Sequence, residues 1–254
     1  MRVEQIYRFP VKGLTAEALA ETRLEPGGTV PGDRVFALAQ GDAPFDEAAP
    51  AWLSKRNFAC LMMNERIAAI HASWDERRGV LLLHAPGRPP FAGDTTTADG
   101  RAAIAAWLAA FLGDEARGTP RFVAADGHSF SDHADKVVSL LNLASLAALE
   151  RAMGRSLDPL RFRANVHFSG APAWAEFAWV GRRIELGGAT LVVTGRIDRC
   201  AATQVNPATA ERDCNPVKAL RDAFGHIELG VFARVEEAGR VAVGDPIVLR
   251  EDEG

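Results

Sequence analysis

Cys200 is the residue of this sequence whose type and surroundings are best suited to chemistry. It follows a strongly apolar run that predicts a strand, so we expect it in a loop just past the strand end. Arg196 and Arg199 precede it closely, and nearby cations stabilise the thiolate that attacks electrophiles or binds a metal. Free cysteine is also a common small residue in buried turns, so the local sequence leaves a reactive and a structural interpretation open.

The other two cysteines have weaker settings. Cys60 lies in the apolar run 58–63, which predicts a core position. Cys214 directly precedes a predicted helix, whose dipole would lower the pKa of a thiol. Three cysteines cannot form a closed disulfide framework, and the sequence contains no CxxC or Cys/His zinc pattern. It also lacks phosphate-binding glycine loops, a G-x-S-x-G motif and H-E-x-x-H.

A second group of candidate residues is basic and lies at predicted strand ends. Lys12 follows the first strand in a glycine-assisted bend, and Arg34 begins another strand. Arg163 and Asn165 come just before the strand 166–168. Guanidinium groups bind phosphate bidentately, so these residues could hold a phosphorylated ligand. Taken one at a time, each is better explained as a solvated charge or one paired with a neighbouring acidic residue.

The composition is that of an ordinary globular protein. Of 254 residues, 48% are hydrophobic and 24% are charged, and the net charge is −4. This acidic balance argues against a nucleic-acid or anionic-membrane protein. No apolar run approaches the roughly 20 residues that span a bilayer. The N-terminus has charges and a proline where a signal peptide needs apolar residues, so we expect a cytoplasmic protein.

The patterning predicts a β-rich chain with a few helices. Short apolar runs bounded by turn residues predict strands at 3–9, 18–24, 34–39, 80–84, 166–168, 182–186, 189–194, 231–236, 240–243 and 246–249. Helical spacing predicts one helix capped by Asp99, a second over 142–153 and a third that begins at Pro216 after the cap Asn215. The segment 86–100 is predicted to be a loop and the best domain boundary. This order favours an α+β fold closer to a barrel than to a layered sheet.

Taken together, the chain resembles the MOSC family, the domain also found at the C-terminus of molybdenum cofactor sulfurases. The resemblance extends over nearly the whole chain. In the first ninety residues it rests on Phe9-Pro10-Val11-Lys12, Gly32-Asp33-Arg34 and Trp52-Leu53-Ser54-Lys55-Arg56. In the remainder it rests on Arg161-Phe162-Arg163-Ala164-Asn165, Trp179-Val180-Gly181-Arg182, residues 199–207 around Cys200, residues 230–235 and Val243-Gly244-Asp245-Pro246. The chain departs from the family at Gly13, Ala164 and Asn206, where serine, proline and aspartate are common.

The resemblance implies a fold, a domain division and roles for particular residues. It implies a smaller N-terminal β-barrel-like domain over 1–92 and a MOSC β-barrel domain with packed helices over 93–254. It implies that Cys200 ligates the molybdenum of a molybdopterin-type cofactor. A cysteine thiolate is a soft ligand, which suits such a metal. The residues implied to hold the pterin and its phosphate are Lys12, Arg34, Arg163 and Asn165. The loop 129–133 lies where the family supplies further polar contacts.

Three functions follow from the resemblance and the residues. The leading one is a molybdenum oxidoreductase of the amidoxime-reducing group, which would reduce N-hydroxylated or N-oxygenated compounds with electrons from separate electron-transfer proteins. The second is a sulfur carrier, in which Cys200 accepts sulfane sulfur from a cysteine desulfurase; the pyridoxal phosphate would belong to that partner. The third is a non-catalytic binding module with a vestigial cysteine.

Overall fold

The computed structural model of the chain describes residues 1–250. Over this range the fold is β-rich. The strands are β1 (Arg2–Arg8), β2 (Glu17–Leu19), β3 (Glu21–Leu24), β4 (Phe36–Ala39), β5 (His71–Asp75), β6 (Val80–His84), β7 (Phe91–Asp94), β8 (Arg121–Ala124), β9 (Val138–Asn142), β10 (Val166–Ser169), β11 (Arg183–Leu186), β12 (Ala189–Asp198), β13 (Glu228–Glu237), β14 (Gly239–Ala242) and β15 (Ile247–Leu249). The α-helices are α1 (Ala98–Leu112), α2 (Leu143–Met153) and α3 (Pro216–Phe224).

The largest sheet joins the two ends of the chain. Its eight strands run in the order β15-β11-β12-β13-β9-β10-β1-β2. The pairing of β9 with β10 is parallel, and the other pairings within this sheet are antiparallel. The first strand of the chain therefore lies beside β10. This pairing brings the segment after β1, which carries Lys12, close to the segment before β10, which carries Arg163.

The curl of this sheet encloses the main hydrophobic core. Residues from both halves of the chain are fully buried in it, among them Val3, Ile6, Leu140, Phe168 and Val231. Alternation along β12 and β13 directs one face of each strand inward, as expected for a half-barrel with a solvated outer face. The predicted α+β, β-rich architecture is confirmed.

A second core lies under the N-terminal segment. The strands β5, β6 and β7 form a three-stranded sheet, and β4 pairs with β8. Helix α1 covers them with its apolar face, where Ile104, Leu108 and Leu112 are buried. The predicted domain boundary at residues 92 and 93 falls inside β7, whose pairing with β6 extends from Phe91 to Asp94. The division into 1–92 and 93–254 stays a prediction.

Local capping signals explain the helix ends. Asn142 caps α2 by accepting a bond from Ala144, and Asn215 caps α3 with Pro216 in the first turn. Thr97, and not Asp99, caps α1 by accepting a hydrogen bond from the backbone N–H of Gly100. The prediction of Asp99 as the cap was wrong because a threonine two residues earlier already reaches the free N–H groups.

The short strands were predicted less well. The run 18–24 divides at Ala20 into β2 and β3, which pair with different sheets. The segment 86–100, predicted to be a loop, contains β7 and the start of α1. Pairing with β6 orders this polar stretch, and such long-range pairing overrides weak local preferences.

Candidate functional site

All five candidate residues, Lys12, Arg34, Arg163, Asn165 and Cys200, line one cavity of about 440 Å³. Cys200 lies two residues after β12, Lys12 and Arg34 come from the N-terminal half, and Arg163 and Asn165 come from the segment before β10. Seven of the lining residues are lysine or arginine and two are aspartate. In a chain with a net charge of −4, this local excess of positive charge favours an anionic occupant.

The backbone fixes the position of Cys200. It has an extended conformation and begins a short 3-10 turn over Ala201–Gln204. Its carbonyl accepts two hydrogen bonds from Thr203, one from the backbone N–H at 3.1 Å and one from the hydroxyl at 2.9 Å. The thiol is half-buried, and its Sγ atom accepts a hydrogen bond of 3.4 Å from the Nζ of Lys55.

The two arginines that precede Cys200 have other contacts. Arg199 is buried and donates to the backbone carbonyls of Phe162 and Leu229, each at 2.8 Å. Burial lowers the pKa of Arg199 to about 9, although the charge of Cys200 opposes this. Arg196 is exposed and lies 4.5 Å from the ring centroid of Phe177. The hydrogen bond to the thiol therefore comes from a lysine 145 positions away, which the sequence analysis did not select as a site residue.

Lys55 belongs to a chain of three charged groups. Asp132 accepts a hydrogen bond from Lys12 through one carboxylate oxygen and from Lys55 through the other, the latter at 3.1 Å. Lys12 also donates to the carbonyl of Phe130 at 2.8 Å. Burial lowers the pKa of Lys12, although the charge of Asp132 and its hydrogen bond act to raise it. Burial would raise the pKa of Asp132, but the two lysines outweigh it and hold that pKa far below its usual range.

Arg34 and Arg163 both line the cavity and lie against the same aromatic ring. Both have positive φ values, 53° and 50°, which is uncommon for residues other than glycine. Their guanidinium groups lie 4.8 and 4.2 Å from the ring centroid of the buried Phe9. Arg34 forms an ion pair with Asp33, which also accepts the backbone N–H of Phe9 at 2.8 Å.

Arg163 retains a donor that the rest of the protein does not use. Its Nη1 donates to the carbonyl of Leu14 at 2.7 Å, whereas its buried Nη2 has no partner within residues 1–250. Burial, helped by the charge of Arg34, lowers the pKa of Arg163 to about 9. A buried cationic donor without a partner is costly unless a ligand completes it, so this atom fits an anion bound in the cavity.

Asn165 is engaged with the protein. Its side-chain oxygen accepts bonds from the N–H and hydroxyl of Ser139, and its amide nitrogen donates to the carbonyl of Tyr7 at 3.2 Å. It thus joins β9 to β1 at the wall of the cavity. Direct contact of Asn165 with a pterin stays a prediction.

Arg161 anchors the loop that follows Cys200. It is buried and donates to the carbonyl of Gln204 at 3.1 Å and to the carboxylate of Asp213 at 2.8 Å. Burial would raise the pKa of Asp213, but hydrogen bonds from Arg161 and Asn206 lower it to about 2. Cys214 follows in the chain, and burial raises its thiol pKa, opposite to the lowering expected from the helix dipole.

The structure explains why glycine stands at position 13, where the resembled family commonly has serine. Its φ is +86°, and a Cβ atom placed there would lie 2.6 Å from the Cδ1 of Ile67. A serine here would be strained by the positive φ, and the terminal methyl group of Ile67 would have to shift.

The side chains suit a metal that arrives with other ligands. Within residues 1–250, no group of three His, Cys, Asp or Glu side chains is placed to hold a metal ion. The cavity is lined by two cysteines, the buried Cys60 and the half-buried Cys200, together with a cluster of cations. This lining fits an anionic organic cofactor that itself carries most of the metal's ligands.

Comparisons with known proteins give the family models that the chain matches. Residues 125–248 match the family model described as the MOSC domain, and residues 1–117 match the model described as the MOSC N-terminal beta barrel domain. The chain is 29% identical over 124 residues to human mitochondrial amidoxime-reducing component 1, and 28% identical over 136 residues to the mouse protein of that name. These matches cover 43% and 49% of this chain and only 36% and 39% of the two relatives.

Two solved structures are also similar to the chain. The YUAD protein from Bacillus subtilis has a TM-score of 0.48 and 18% identity, covering 97% of this chain and 93% of its own. YiiM from Geobacillus stearothermophilus has a TM-score of 0.36 and 21% identity, covering 45% of this chain and 54% of its own. Among the described residues, no helix is both long and apolar enough to cross a membrane.

Proposed function

This chain belongs to the MOSC family, with a MOSC N-terminal β-barrel domain followed by a MOSC domain, and we propose that it is a molybdenum-cofactor-dependent reductase of N-oxygenated compounds. The similarity to two amidoxime-reducing components supports this reaction class. The observation that carries the proposal is the single cavity that holds Cys200 and the basic residues together.

The residues of the cavity divide into two groups in this proposal. Lys12, Arg34 and Arg163 hold the pterin and its phosphate, with the unpartnered Nη2 of Arg163 as the donor that the phosphate completes. Cys200 ligates the molybdenum, and its fixed carbonyl sets the direction of the thiol. When bound, the cofactor supplies two-electron chemistry that accepts an oxygen atom.

The reaction is balanced by two electrons and two protons. The N–O bond of the substrate breaks, the nitrogen gains hydrogen, and the oxygen leaves as water. The electrons come from a separate electron-transfer protein, because the chain has no cysteine cluster for an iron–sulfur centre. The protein orients the substrate beside Cys200 within this cavity.

The test is metal and pterin analysis of the protein expressed in a host that makes the cofactor. We expect near-stoichiometric molybdenum in the wild type and its loss in Cys200→Ser. Cys214→Ser is the matched control, because Cys214 is also half-buried but does not line the cavity, and it should keep the metal. Full retention of metal and activity in Cys200→Ser would falsify the proposal.

A sulfur carrier is the second candidate, and the contact between Lys55 and the Cys200 thiol favours it. Cys200 would attack the persulfide of a cysteine desulfurase, take its terminal sulfur and release the donor thiol. Mass spectrometry distinguishes the two functions. A Cys200 peptide heavier by one sulfur atom, in protein free of molybdenum and pterin, supports the carrier.

A further inference from the structure

Lys55 lines the cavity with only part of its hydrogen-bonding capacity in use. An ammonium group has three donors, and Lys55 uses one on Asp132 and one on Cys200. Within residues 1–250 the third has no partner, and the side chain is 27% exposed where it lines the cavity. Lys12, in contrast, is almost fully buried, and Arg199 is bound to backbone carbonyls.

The charge of Lys55 is not neutralised by Asp132 alone. That carboxylate is shared between two ammonium groups, Lys12 and Lys55, so one positive charge remains on the trio. A sulfur that ligates a metal shares its negative charge with that metal and offers Lys55 less compensation. The remaining charge lies at the wall of the cavity, next to the reacting centre.

The backbone holds Lys55 in place. It begins the short 3-10 turn Lys55–Asn57, which Ser54 caps. The carbonyl of Lys55 accepts the N–H of Phe58 at 3.1 Å, and that of Asn57 accepts the N–H of Gln40 at 2.8 Å. The turn is thereby attached to the end of β4, so the ammonium group is presented by a fixed element.

We propose that Lys55 forms a binding subsite for the carboxylate of a compact substrate, so that the preferred substrates are N-hydroxy compounds with a carboxylate one carbon from the nitrogen. The substrate class follows from distance. Because the Nζ of Lys55 is 3.4 Å from the Sγ of Cys200, an anion on Lys55 lies within a few atoms of any group reacting at that sulfur or its metal. The reaction itself rests on the proposed function, but the subsite does not.

The subsite can be tested without the cofactor, on full-length protein from a host that does not make it. Iodoacetate and iodoacetamide both alkylate the Cys200 thiolate with loss of iodide, and they differ in a carboxylate against a neutral amide. We expect Lys55→Met to lower the ratio of the iodoacetate rate to the iodoacetamide rate at Cys200 about tenfold. The ratio cancels any change in the reactivity of the thiol itself.

Lys218→Met is the matched control, since Lys218 is an exposed helix residue paired with Asp222 and lies outside the cavity. It should leave the ratio unchanged, and Lys55→Arg should restore most of the wild-type ratio. Lys55→Gln repeats the test if the methionine variant is poorly soluble. An equal ratio in wild type, Lys55→Met and Lys55→Gln overturns the subsite.

The loaded protein then tests the substrate class. N-Hydroxyglycine and N-hydroxyglycinamide have the same N–O group and differ in charge. We expect Lys55→Met to raise the KM of the carboxylate about tenfold and to leave the KM of the amide within about twofold, at unchanged molybdenum content. Equal effects on both substrates overturn the substrate class. Absence of molybdenum from the wild type overturns the proposed function instead, and leaves the alkylation result standing.

Discussion

The guanidinium of Arg34 donates a hydrogen bond of 2.9 Å to the backbone carbonyl of Arg163, a residue 129 positions further along the chain. Both residues adopt the left-handed conformation, and both side chains lie against Phe9. Such backbone conformations cost about 1 kcal/mol or more each and persist when the surrounding structure imposes them. Their coincidence at one wall of the cavity indicates that this wall is organised before any ligand binds.

Arg163→Met tests the role of the unpartnered Nη2 atom. We expect at least a tenfold fall in the fraction of purified protein that retains pterin, because a charged donor to the phosphate is lost. Arg163→Lys should retain more than the methionine variant, but less than wild type, since lysine cannot bind bidentately. Pterin fluorescence after release measures retention. Arg23→Met, an exposed arginine outside the cavity, is the control, and equal retention in Arg163→Met and Arg23→Met contradicts the role.

Arg161→Met tests the anchoring of the loop after Cys200. Its guanidinium is buried and binds Asp213 and the carbonyl of Gln204, so its removal leaves buried polar groups without partners. We expect the free energy of unfolding to fall by about 3 kcal/mol, measured by urea denaturation. Asp213 is more exposed than Arg161, and in this variant it keeps its ion pair with Arg155. If Arg161→Met lowers stability by less than 1 kcal/mol, the anchoring role is wrong.

The sequence predicts best what is encoded locally. The helices α2 and α3 have their caps and their apolar spacing within one short segment. Helix α3 begins after the predicted cap Asn215, and α2 begins at Leu143, one residue after its predicted start. The segment 91–94 has little apolar character of its own and becomes a strand by pairing with β6. Its prediction as a loop fails because the stabilising partner lies elsewhere in the chain.

The site shows the same division. Motif residues identify Cys200, Lys12, Arg34, Arg163 and Asn165, and the structure places them around one cavity. The partner of the thiol was not predictable from its neighbours, because Arg199 is used on backbone carbonyls and the contact comes from Lys55 across 145 positions. The only signal for Lys55 was its place within a motif that marks the family.

His167 predicts how stability depends on pH. Its side chain is 2% exposed, its Nε2 has no partner among the described residues, and burial, with the charge of Arg199, lowers its pKa to about 4. Since the unfolded chain binds this proton near pH 6.5 and the folded protein only near pH 4, stability falls as the pH drops through this window. The loss attributable to His167 is about 3 kcal/mol.

His167→Phe removes the titrating group and keeps a ring beside Tyr7, whose centroid is 5.0 Å away. We expect its unfolding free energy to decline less than that of wild type between pH 6.5 and 4, by up to about 3 kcal/mol. Urea denaturation at each pH measures this. His71→Phe, on the exposed side of β5, is the control and should follow the wild-type curve. Parallel curves for all three proteins exclude His167 as the source.

The carboxylate of Asp132 stabilises the buried positive charge of Lys12. Lys12 is 6% exposed, and its protein partners are Asp132 and the carbonyl of Phe130. Asp132→Asn removes the compensating charge, so we expect a loss of about 2 kcal/mol and a further fall in the pKa of Lys12. Lys12→Met should cause a smaller loss of stability, because Asp132 is half-exposed and keeps its ion pair with Lys55.

The double variant Lys12→Met, Asp132→Asn should be destabilised by less than the sum of the losses in the single variants, as expected for groups in contact. Additive losses in this double-mutant cycle, measured by urea denaturation at pH 7, contradict the coupling and leave Asp132 as a partner of Lys55 alone.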